Sequence, residues 1–186
     1  MAPREDTTVN LLGALGVAVT DHIRAGVEAV GEHGGQTGAA ITAIGILPGL
    51  SVGELAGILG LTHPGTVRLV ERLVAEDLVE KAPAAGDARA LALKLTPAGK
   101  QRRREILGQR AKRLQAMLEA LTVAERRQFD GLLRKILGHL PVTRQQAWTV
   151  CRYCDAGPCF RNDCPVDEAC PEPMADGGLA ALPARR

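Results

Sequence analysis

The sequence predicts a mostly α-helical fold with one small β-wing, a winged helix-turn-helix flanked by a helical dimerisation region from both ends of the chain. Three observations predict it: two capped helices in close succession from Ser51, an alternating apolar pattern that follows them, and long amphipathic stretches on either side.

Thr8 to Gly31 carries Leu12, Leu15, Val19, Ile23, Val27 and Val30 at gaps close to four, the mark of a helix with one apolar face. The longest apolar stretch, Ala39 to Leu50, is broken by Thr42 and Pro48 and is too short to cross a bilayer. Ser51-Val52-Gly53-Glu54 reads as a capping box for a short helix that Gly60 terminates. Thr62 then caps a second helix, with Pro64 in its first turn and Val67, Leu69, Val70 and Leu73 on its inner face. Thr62, His63, Thr66, Arg68 and Arg72 are the candidates on the other face, where backbone N–H groups and short polar side chains meet phosphates and base edges in a major groove.

Leu78 to Ala82 and Leu91 to Leu95 form the two strands of a hairpin across P-A-A-G-D-A-R, a run of turn residues. Arg89 stands near its tip beside Asp87, which can aim the guanidinium toward an electronegative minor groove. Pro97 opens a long helix with Leu107, Ala111, Leu114, Leu118 and Leu121 along one seam. Thr122 and Glu125 form a capping box for a last amphipathic helix bearing Phe129, Leu132, Leu133, Ile136, Leu137 and Leu140. These apolar faces either pack within one chain or interlock between two.

From about Thr8 to Leu140 the chain resembles the MarR family of winged helix-turn-helix regulators. The resemblance is carried by R-L-V-E-R-L at Arg68 to Leu73, L-V-E-K at Leu78 to Lys81, G-D-A-R at Gly86 to Arg89, and L-T-P-A-G at Leu95 to Gly99. It implies a DNA-binding transcriptional regulator, commonly a repressor, acting as a homodimer on inverted half-sites. In that setting the helix from Thr62 reads the major groove, Arg89 enters the minor groove and Asp87 orients it. Two positions depart from the family pattern: Asp77 stands where a glycine usually leaves the recognition helix, and Gly34-Gly35 precedes a shortened second helix.

Charge follows the same division. Residues 1–60 hold 2 basic and 6 acidic side chains, residues 61–135 hold 16 and 9, and the remainder 5 and 6, so the net charge of +2 conceals a balance of +7 on the proposed DNA-binding segment and the helix after it taken together. Counterion release from phosphates favours such a bias. No secretory pattern opens the chain, and a cytoplasmic protein without membrane contact is expected. Nothing resembles a nucleotide loop, a hydrolase triad or a paired-carboxylate site, so no enzyme is predicted.

All five cysteines fall after residue 150, spaced Cys151-x2-Cys154-x4-Cys159-x4-Cys164-x5-Cys170, together with Trp148, Tyr153 and Phe160. A segment too small for its own core that gathers thiols and aromatics suggests a fold nucleated by metal. Cys151, Cys154, Cys159 and Cys164 are the candidate ligands, Cys170 being a surplus thiol. Zinc ranks first, an iron–sulfur cluster second, and metal-free redox thiols based on Cys151 and Cys154 third. The expected organisation is a disordered 1–7, a winged-helix and dimerisation domain at 8–140 with its DNA-binding core at about 37–95, a cysteine-rich segment at 141–170 and a disordered tail at 171–186. A small-molecule or redox effector fits this plan. The competing readings are a winged-helix protein-interaction module and a thiol-redox protein.

Overall fold

The computed structural model describes residues 7–31, 35–84, 87–140, 143–157 and 164–170, with the side chains of residues 84–90 outside that set. Helix α1 spans Thr7–Glu28, α2 Gly35–Ile46, α3 Val52–Leu59 and α4 His63–Ala75, followed by strands β1 (Val79–Ala84) and β2 (Asp87–Leu95). Helices α5 (Pro97–Leu118), α6 (Val123–Leu137), α7 (Arg144–Cys151) and a one-turn α8 (Pro165–Glu168) complete the described order. The fold is therefore mostly helical with a two-stranded wing. Thr7, expected to be irregular, already belongs to α1, while 1–6 and 171–186 lie outside the described residues.

The predicted caps form as chemistry requires. Ser51 accepts from the Glu54 N–H at 3.2 Å and Glu54 accepts from the Ser51 N–H at 2.8 Å, closing the box at the head of α3. Thr62 accepts from Gly65 N at 3.3 Å, Thr96 from Gly99 N at 3.0 Å and Thr122 from Glu125 N at 3.3 Å, which starts α4, α5 and α6 where the sequence places them.

The wing is antiparallel, pairing Val79 with Leu95, Lys81 with Leu93 and Pro83 with Leu91, with an irregularity between Pro83 and Ala84. Leu93 also exchanges backbone bonds with the Gly49–Leu50 segment, Gly49 N to Leu93 O at 3.0 Å and Leu93 N to Leu50 O at 2.8 Å. The hairpin is thus anchored at its base to the loop before α3. One core gathers around α2, where Ile41 and Ile44 join Val27 of α1, Leu55 of α3, Leu73 of α4, Leu93 of β2 and Ile106 of α5, all fully buried.

Asp77 occupies the turn after α4 with φ +56°, so the departure from glycine changes the residue and keeps a left-handed backbone. Aspartate tolerates that region better than most side chains. Thr96 ties the same turn down by donating its hydroxyl to the Asp77 carbonyl. At the other side of this junction α5 begins so close to the strand that a Cβ on Gly99 would lie 1.9 Å from the Leu78 carbonyl oxygen. Replacing Gly99 by Ala is expected to destabilise the protein by about 3 kcal/mol, because backbone on both sides must move, as measured by urea unfolding; a wild-type midpoint would show the junction to be adaptable.

Candidate nucleic-acid interface and thiol centre

Helix α4 presents the residues expected of a reading helix unequally. Thr62, His63 and Arg68 are exposed at its N-terminal half. Arg72 is also exposed, yet its Nη2 donates to Thr37 Oγ1 at 3.2 Å and so ties α4 to the head of α2. Thr66 departs from expectation: it is fully buried, and its hydroxyl donates to the Thr62 carbonyl at 3.1 Å. It lies four residues after the cap, on the inner side of the helix, where its side chain closes a local bond and packs. Asp87 and Arg89 lie in β2, and the side chains on which their groove-binding roles depend fall outside the described residues.

The helices meant for dimerisation leave apolar surface open in the single chain. On α1, Val9, Leu11, Leu12 and Val17 are more than half exposed. Helix α6 buries none of its residues, and Leu132, Leu133 and Ile136 face outward. The seam of α5 is half-buried from Leu107 to Leu118.

The cysteine-rich segment departs further from expectation, because it docks on the main core instead of standing apart. Thr143 caps α7 through a box with Gln146, and Trp148, Tyr153 and Ala156 pack against the core built around α2. A Cβ on Gly57 of α3 would lie 2.7 Å from Gln145 Nε2, so α7 rests directly on the first helix of the helix-turn-helix. The Tyr153 hydroxyl donates to the Gly35 carbonyl at the head of α2, and Arg144 pairs with Asp167 to join α7 to α8. The capping pattern of Thr143 and Gln146, with Ala147, Trp148 and Cys151 on one face, was the available sign of this helix. Pro165 opens α8 at its first turn, an ordinary helical role for a proline that follows a cysteine.

Cys151, Cys154 and Cys164 line one small cavity with Trp148 and Val166. Cys151 donates toward both other thiols, which together with burial pushes its own pKa up. Cys154, accepting that bond and lying near the Arg110 charge, is brought down to about 7 against the opposing effect of burial. Cys170 is buried and free, not a loose tail thiol. Cys159 lies outside the described residues, among which no set of three or more His, Cys, Asp or Glu side chains closes into a metal-holding group. Among them, too, no helix is long and apolar enough to cross a membrane.

Residues 34–90, from the lead-in to α2 to the middle of β2, match the profile of the MarR family. Over those residues the chain is similar to the MarR family. An 87-residue stretch is 30% identical to the uncharacterised HTH-type transcriptional regulator YsmB of Bacillus subtilis; it covers 47% of this chain and 60% of that relative, less than two thirds of its length. Among solved structures, RV1404 of Mycobacterium tuberculosis superposes with a TM-score of 0.65 at 19% identity, over 75% of this chain and 97% of that one. YusO of Bacillus subtilis gives 0.58 at 22%, over 75% and 99%. The Mycobacterium tuberculosis MarR-family protein RV2887, in complex with salicylic acid, gives 0.55 at 21%, over 68% and 93%. At these identities the structural likenesses establish the fold of the MarR-family segment and its flanking helices.

Because Trp148 packs against the core built around α2, Trp148→Ala is expected to lower stability by about 2 kcal/mol, less than a fully buried indole would cost, and to shift the melting of the whole protein. An unchanged melting temperature would mean that the cysteine segment is an independent appendage after all.

Proposed function

We propose that this protein is a sequence-specific DNA-binding transcriptional regulator, a repressor that binds an inverted-repeat operator as a homodimer. The observation that carries the reading is the open N-terminal half of α4, where Thr62, His63 and Arg68 face solvent within the segment that matches the MarR family. Backbone N–H groups at that helix end favour phosphate, and Arg68 suits a guanine edge or a phosphate. Asp87 and Arg89 are assigned to the adjacent minor groove. The uncovered apolar faces of α1 and α6 support pairing with a second copy, which would set twin α4 helices about one turn of duplex apart. In gel shifts on fragments from its own locus, affinity should fall about a thousandfold between roughly 50 and 200 mM salt. Arg68→Ala should weaken operator binding about tenfold at fixed salt. A flat salt response would instead favour a protein-docking role for the wing.

The thiol centre is assigned a regulatory role. In this reading Cys151, Cys154, Cys159 and Cys164 hold zinc or, as second choice, an iron–sulfur cluster, and loss or oxidation of the bound group changes operator affinity. The shared cavity lined by Cys151, Cys154 and Cys164 supports it, and so does the seating of α7 on α3. A small-molecule effector also has a place. A cavity of about 520 Å³ between α1, α2, α5 and the cysteine segment is lined by Arg24, Arg110, Arg152 and Tyr153, a suitable setting for an anion. The pair Cys154→Ser and Cys159→Ser should abolish bound metal and the response of operator binding to chelator or peroxide. Visible absorption of anaerobically purified protein separates iron–sulfide colour from colourless zinc. Wild-type affinity and unaltered responses in the double variant would reduce the centre to a structural clip.

A further inference from the structure

The cavity that Cys151, Cys154 and Cys164 line holds about 30 Å³, roughly the space of one water molecule, and the rest of its wall is mostly apolar, with Ile46, Trp148 and Val166. The two charged residues on that wall, Arg144 and Asp167, pair with each other. Cys151 donates toward both other thiols and so stands between them. It closes α7, Cys154 follows three residues later, and Cys164 caps α8, so a single occupant bonded to all three would tie the two helices together.

The size and the lining of this space select among occupants. A trivalent arsenic or antimony atom is satisfied by three thiolates, because its lone pair takes the fourth direction, whereas zinc asks for a fourth ligand. Sulfur is a soft ligand and suits these soft acceptors. Charge points the same way. Three thiolates around a trivalent centre are neutral, while thiolate complexes of divalent ions place net negative charge where an apolar wall cannot answer it. Among the described residues the thiols line the space without forming a closed metal-holding set. Covalent bonds made one at a time need no preformed cage: the first seats the atom, and the next two draw its neighbours in.

We propose that Cys151, Cys154 and Cys164 form a binding site for a trivalent metalloid, taken up as neutral arsenous or antimonous acid. The inference rests on the reading of these thiols as a ligand centre and differs from it in needing no Cys159. At each step one As–O bond is exchanged for one As–S bond and the thiol proton leaves with hydroxide as water. Three waters are released and no electrons move. Trp148, the only tryptophan of the chain, lines the same cavity and reports on it. In reduced, chelator-treated full-length protein, arsenous acid should quench Trp148 fluorescence to saturation at one equivalent, and the number of titratable thiols should fall by three. Cys164→Ser should weaken binding by at least about a hundredfold, more than loss of an outer-sphere partner costs. Cys164→Ala should do the same, which separates loss of the sulfur from the effect of a buried hydroxyl. Cys159→Ser should bind as the wild type does. Quenching that never saturates, loss of only two thiols, or binding abolished by Cys159→Ser would overturn the proposal. Zinc or iron held by protein that ignores arsenous acid would overturn it and leave the four-cysteine centre standing, and arsenic bound by protein that retains neither metal would do the reverse.

Discussion

Everything in this structure is arranged around a helix that has no outside. From Thr37 to Ile44 every residue of α2 is buried, and a helix that is apolar on all sides can exist only when other elements enclose it. Small side chains make that enclosure tight. A Cβ on Gly38 would meet Val27 of α1 at 2.6 Å, and one on Gly35 would stand 3.0 Å from the Tyr153 hydroxyl. The shortened second helix is therefore the point on which the first helix, the reading motif, the wing and the cysteine segment all bear. Close packing transmits displacement because interiors hold few voids into which a shift can relax.

The local chemistry of the fold was plainly legible in the sequence. Ser51, Thr62 and Thr122 each announce a helix, because a hydroxyl that satisfies an otherwise unpaired N–H is a short-range interaction and needs no knowledge of the rest of the chain. The wing followed from alternation and turn residues for the same reason. Thr66 was misplaced because a threonine near a helix start looks polar in sequence, whereas a turn of helix after Thr62 it faces inward and its hydroxyl is consumed locally. Helix α7 was hidden by its neighbours: thiols and prolines drew attention to metal chemistry, and the surface of α3 that receives Gln145 comes from almost ninety residues earlier in the chain. Long-range docking of that kind leaves only a faint periodic trace.

The distribution of apolar surface separates two kinds of packing. Trp148 and Tyr153 found partners within the chain, so these two aromatic residues of the cysteine segment need no second copy to cover them. Leu137 of α6 packs against the cluster of Ala147, Cys164 and Val166, whereas Leu11 and Leu12 of α1 and Leu132 and Leu133 of α6 stay exposed among the described residues, more than scattered surface apolar residues would give. On physical grounds, then, the apolar surface left open for a further contact lies on α1 and α6, whereas Trp148 and Tyr153 of the thiol segment are covered within the chain.

Under the proposed reading, this division bears on how a signal would reach the duplex. In a dimer of the proposed kind, a change confined to the α1 and α6 faces would alter the distance between subunits while leaving each reading motif internally intact. A change at Cys151 or Cys154 acts at the end of α7, whose Gln145 presses on α3 and whose neighbour Tyr153 bonds the head of α2, beside the Thr37 hydroxyl that receives Arg72 from α4. Losing the order of that segment would free the enclosure of α2 from one side and loosen the tie between α2 and α4. The two routes end in different distortions, one of spacing and one of tilt, and only the second requires no rearrangement of the contact between copies.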